Sequence, residues 1–163
     1  MDAATQFQRT GKRMLLFVIG LMICLTSYGP AAAGDSAAVD ARTVKQLSIA
    51  ETQHEIIQLL IQKGEYDKAI AELQVILDLN LPVAFEEAVF KEIVIVTKKL
   101  YDSGQKEHAY RVLELGFNSL KTTDFRARVL NVKAGLLKRD GRLDEAIQTY
   151  KQEVELREKK TGK

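Results

Sequence analysis

The chain has 163 residues, enough for one domain of ordinary size, with 24 basic and 22 acidic residues, two Pro, no Trp and one Cys. At 46% apolar and 28% charged, it is too apolar for a disordered chain and lacks the basic excess of a nucleic-acid binder. A single cysteine excludes a disulfide framework within the chain. Glu, Lys, Leu, Ala and Gln are plentiful and all favour helix, so an all-α fold is expected.

The N-terminus has the pattern of an export signal. Arg9, Lys12 and Arg13 precede the apolar run Met14 to Leu25, Ser27-Tyr28-Gly29-Pro30 breaks it, and Ala31-Ala32-Ala33 offers small residues to a signal peptidase. Cleavage is expected after Ala33, which makes residues 1–33 a signal peptide and the product periplasmic or otherwise extracytoplasmic. The competing reading is a retained inner-membrane anchor, because residues 14–33 are uncharged over a length that spans a bilayer. Cys24 does not read as a lipidation site, since Ile23 before it is not small. Removing residues 1–33 takes away three basic residues and one acidic, leaving 21 of each, so the exported chain is neutral. It would also hold no cysteine.

Residues 34–41 are small and polar and read as a linker. A helical domain is expected over 42–160, with a three-residue tail. Its first helix starts near Ala41, with Leu47, Ile49 or Ala50, His54, Ile57, Leu60 and Ile61 on one face, and stops at Lys63-Gly64. A second helix follows with Ala69, Ile70, Leu73, Ile76 and Leu77, ending at Asn80-Leu81-Pro82. The next pair is expected over Val83–Tyr101 and Lys106–Leu120, turning at Asp102-Ser103-Gly104. Ile93 to Val96 are all β-branched and locally favour strand. They still read as helix, because a lone strand would have no pairing partner. The last pair is expected over Thr123–Lys138 and Leu143–Glu158, with Ala127, Leu130, Ala134 and Leu137 facing Ala146, Tyr150 and Val154. The basic tail from Arg157 is expected to fray. Glu86 and Glu87 are expected on an exposed helix start.

One phrase recurs in the second helix of each pair. It is Gly64-Glu65-Tyr66-Asp67-Lys68-Ala69-Ile70, then a weaker copy from Gly104 to Tyr110, then Gly141-Arg142-Leu143-Asp144-Glu145-Ala146-Ile147. The glycines suit left-handed turns, and Ala69, Ala109 and Ala146 are small enough for close helix crossing. A helix pair cannot bury its apolar face alone, so stacking of neighbours stabilises the set.

At these residues the chain resembles the tetratricopeptide repeat family, over about residues 50–158. The resemblance implies three antiparallel helix pairs (about 50–82, 83–120 and 123–160) stacked as a short right-handed solenoid. The Gly-to-Gly spacings of 40 and 37 exceed the family repeat of 34. By this resemblance the first helices line a groove for a peptide or partner protein. Its positions would be Glu51, His54, Gln58 and Ile61; Lys91, Val94, Lys98 and Tyr101; Arg128, Asn131 and Lys138. The basic members suit an acidic or C-terminal carboxylate segment, and a merely solvated helix face is the competing explanation. Three pairs without a polar capping helix also point to edge stacking and self-association.

No catalytic chemistry is written in the sequence. His54 and His108 lie in different pairs without zinc-site spacing, no Gly-rich phosphate loop follows a strand, and no serine has a nearby base. No cofactor, metal or nucleic acid is expected. The function classes in play are a non-catalytic adaptor, a membrane-anchored assembly factor, and an accessory subunit of an envelope enzyme.

Overall fold

The computed structural model describes residues 40–161, so the expectations placed on residues 1–33, and nearly all of the 34–41 linker, lie outside the described residues. Asp40, the last residue before the first helix, caps it by accepting the Thr43 N–H at 2.7 Å. Six α-helices follow: α1 (Ala41–Lys63), α2 (Tyr66–Asp78), α3 (Glu86–Asp102), α4 (Lys106–Ser119), α5 (Thr123–Arg139) and α6 (Leu143–Thr161). One 3-10 turn, Val83–Phe85, leads into α3. The β-branched run Ile93–Val96 is α-helical within α3. Among the described residues there is no strand, and no helix is long and apolar enough to cross a membrane.

The repeated phrase is repeated again in the backbone. Gly64, Gly104 and Gly141 take φ of 77°, 80° and 74°, where an L side chain is strained. The amide of the residue after each glycine reaches back to Leu60, Leu100 and Leu137 at 2.9, 2.9 and 3.0 Å, closing the preceding helix. Five residues after each glycine, the amides of Ala69, Ala109 and Ala146 bond to Glu65, Gln105 and Arg142, opening the next helix. A turn this short folds each helix back on the one before it, and α1 packs on α2, α3 on α4 and α5 on α6.

The pairs also pack on one another: α1 meets α3, α3 meets α5, α2 meets α3 and α4, and α4 meets α5. Ile57, Leu73, Ile93, Leu100, Leu113 and Leu137 are fully buried in the resulting core. Each such side chain contributes roughly 1.5–3 kcal/mol from its removal from water. Ala69, Ala109 and Ala146 are buried as well, as are Ala127 and Ala134 on α5. Gly116 on α4 lets Ile93 approach so closely that a Cβ there would sit 2.7 Å from Ile93 Cδ1. The Phe90 and Phe125 rings join α3 to α5, with centroids 5.6 Å apart.

The third pair departs from the pattern: α4 and α6 do not touch, so α6 rests on α5 alone. Its buried side holds Ala146 and Thr149, with Glu153 and Leu156 half-buried. Tyr150 and Val154, expected to face α5, are exposed instead. Helix α6 is turned so that its small and polar residues meet α5, which allows close approach and leaves the larger apolar residues outward.

Two further expectations are corrected. Glu86 is buried rather than exposed, because its carboxylate accepts the backbone amides of Lys121 and Thr122 and so holds the link between α4 and α5. The chain from Arg157 does not fray at once but stays helical to Thr161, with Arg157 bonded to Glu153 and Asp124.

Candidate functional site

The first helices of the pairs, α1, α3 and α5, contact one another in sequence and carry all the groove positions named above. The structure sorts those positions into two groups. Ile61, Gln58 and Tyr101 are buried, and His54, Val94 and Arg128 are partly covered. These six tie one pair to another or pack against the core. Glu51, Lys91, Lys98, Asn131 and Lys138 are exposed.

The first tie joins α1 to α3. His54 Nδ1 lies 2.7 Å from Glu92 Oε2, and the Glu92 carboxylate is almost wholly buried. This bond, reinforced by the charges of Glu92 and Glu55, raises the imidazole above the ordinary histidine range against the opposing effects of burial and Lys99. One turn on, Lys99 Nζ donates to Gln58 Oε1. Gln58 Nε2 and Glu92 Oε1 are buried without a hydrogen-bond partner among the described residues. Sequence reading did not find Glu92, because a Glu on a helix normally points to water. The only signal was His54 on an otherwise apolar face, which calls for a buried acceptor.

The second tie centres on Asp140, in the turn after α5. Its Oδ1 accepts the Tyr101 hydroxyl at 2.6 Å and the Lys106 ammonium at 2.6 Å, and its Oδ2 accepts the Tyr110 hydroxyl at 2.7 Å. The Lys106 bond, then those from the two tyrosines, hold this carboxyl well below the usual carboxylate range. The tyrosines are pushed up in return, Tyr101 mainly by its bond to Asp140 and Tyr110 mainly by burial. Tyr101 is therefore a structural member of this knot, with Arg139 over its ring at 4.8 Å.

What is left facing outward is largely basic. Lys91 pairs with Glu87 at 2.9 Å, and Arg128 lies over the Phe90 ring at 4.4 Å. Asn131 donates to Glu153 of α6 at 3.0 Å. The side chains of Lys98 and Lys138 have neither an ion pair nor a hydrogen bond among the described residues.

His108 lies apart, 3.7 Å from Asp67 and against the Tyr66 ring. No cluster of three His, Cys, Asp or Glu able to hold a metal occurs among the described residues. A recess of about 30 Å³ between Ile76, Leu81, Val83, Glu86 and Leu120 has room for roughly one water. No protein-family model, curated protein or solved structure matches this chain.

Proposed function

We propose that residues 42–160 form a non-catalytic protein-binding module of the tetratricopeptide type, exported to the cell envelope. It binds an acidic or C-terminal carboxylate segment of a partner across the outward face of α1, α3 and α5. The observation that carries this reading is the pair of exposed, unpartnered cations, Lys98 on α3 and Lys138 on α5, on two helices that contact each other. A cation without an ion pair is free to meet a carboxylate, and a carboxylate with two such donors gains charge-assisted hydrogen bonds. The knots at Glu92 and Asp140 support the reading, because they fix α3 against α1 and the end of α5 against α3. Export rests on the sequence of residues 9–33.

The test is fluorescence anisotropy with labelled acidic peptides bearing a free or an amidated C-terminus. The free-carboxylate peptide should bind in the micromolar range, and Lys98→Glu with Lys138→Glu should weaken it by about tenfold or more. Equal binding by the double variant would remove this face from the function. The N-terminal sequence of the chain recovered from a bacterial envelope separates the soluble form, starting at Gly34, from an anchored one.

A further inference from the structure

The turn glycines align the three pairs position by position, and the alignment exposes a mismatch on α6. Six residues after each glycine stand Ile70, Tyr110 and Ile147; nine after, Leu73, Leu113 and Tyr150; thirteen after, Leu77, Phe117 and Val154. In the first two pairs, the first two of these positions are buried and the third is half-buried. In the third pair Ile147, Tyr150 and Val154 are 51%, 38% and 53% exposed, and Leu143 beside them is 58% exposed. The difference is the following pair: α2 is packed by α3 and α4, and α4 by α5, whereas no helix follows α6 among the described residues. Helix α6 therefore presents a face of the kind that receives a further helix.

We infer that this face docks the same face of a second copy, with the two α6 helices antiparallel about a two-fold axis. The stripe Leu143, Ile147, Tyr150, Val154 has four-three-four spacing, the seam that seeks an equivalent helix. A two-fold axis between Ile147 and Tyr150 sets Leu143 across from the partner subunit's Val154, and Ile147 across from the partner subunit's Tyr150.

The helix dipoles and one charge pair select the direction. Antiparallel pairing opposes the dipoles of the two α6 helices, whereas parallel pairing aligns them. Asp144 and Lys151, seven residues apart, flank the same side of the stripe, so each meets its opposite on the other copy.

The chain's other edge does not fit the stripe. The outward side of α1 carries exposed Lys45, Ser48, Thr52 and Glu55 between exposed Val44 and Leu59, and head-to-tail stacking would bury the charges of Lys45 and Glu55 against apolar side chains. Four apolar residues per copy make a small interface, and the dimer should dissociate at roughly 1–100 µM. This inference does not rest on peptide binding, because Lys98 and Lys138 lie on other helices and remain intact in every variant below.

The experiment is sedimentation equilibrium of the full chain, in the form its host yields, from roughly 1 to 500 µM. A monomer–dimer equilibrium is expected. Ile147→Asp and Tyr150→Asp should each weaken it about tenfold or more with an unchanged thermal midpoint, since both side chains are exposed in the monomer. Lys151→Glu should weaken the dimer, and adding Asp144→Lys should restore it. That swap reads the pairing even if an apolar-to-acid variant fails to fold. A monomer throughout, a dimer indifferent to all four changes, or growth into open-ended species would each overturn the inference.

Discussion

The Tyr101 hydroxyl, in the last turn of α3, donates to Asp140 at 2.6 Å across 39 residues of sequence. Tyr110 and Lys106 converge on the same carboxylate from α4. Asp140→Ala strands two largely buried hydroxyls and should lower the thermal midpoint by ~5–10 °C. Tyr101→Phe alone should cost less, and adding it to Asp140→Ala should cost little more, because the bond is already gone. Thermal melts followed by circular dichroism read all three. The folded carboxyl titrates below its unfolded value, so its contribution is present above about pH 4 and is lost as pH falls through the folded value. Asp140→Ala should therefore flatten the acid limb of the stability profile.

The His54–Glu92 pair gives the opposite slope. Glu92 raises the imidazole, so the folded state binds the proton more tightly than the unfolded state does. Its contribution is complete below about pH 6.5 and is lost as pH rises through the folded value above that. The thermal midpoint should rise by ~3–5 °C from pH 8 to pH 6, and Glu92→Gln should abolish most of the rise.

Two helical glycines should respond with opposite signs to the same substitution. A Cβ on Gly116 would meet Ile93 Cδ1 and Cγ2 at 2.7 and 2.8 Å, and Ile93 is fully buried. Gly116→Ala should destabilise by about 1–3 kcal/mol, with partial rescue by Ile93→Val. Nothing stands within 4 Å of a Cβ on Gly135 of α5, so Gly135→Ala should stabilise by about 0.5–1 kcal/mol. Urea unfolding of the three variants measures both effects.

Thr97 is buried in α3, and its Oγ1 has no hydrogen-bond partner among the described residues. Val has the same shape without the hydroxyl. Thr97→Val should stabilise by about 1 kcal/mol, read as a higher urea midpoint at constant slope.

Much of this architecture is legible from local signals. A glycine followed five residues later by alanine places each turn, and three- and four-residue apolar steps place the helices as far as Ile93–Val96. The errors share one cause, which is that local pattern does not say which neighbour a face will meet. Tyr150 and Val154 read as core because they repeat the positions of Leu113 and Phe117, yet among the described residues no helix after α6 covers them. Glu86 reads as solvated, and the roles of Glu92 and Asp140 are not legible, because their partners lie 30 to 39 residues away. The groove positions split for the same reason. Tyr101 and Gln58 are taken up by Asp140 and Lys99, while Lys98 and Lys138 stay outward.

The polar links between pairs run from 19 residues of sequence separation for Lys133–Glu114 to 44 for Arg111–Asp67. None of these links closes a longer loop, and closure entropy grows with loop length. Such a chain suits rapid, vectorial folding, each hairpin settling on its predecessor as the ribosome releases it. It also suits growth by gene duplication. An insertion of about forty residues after Thr122 would bring its own turn glycine and seat on the hairpin before it.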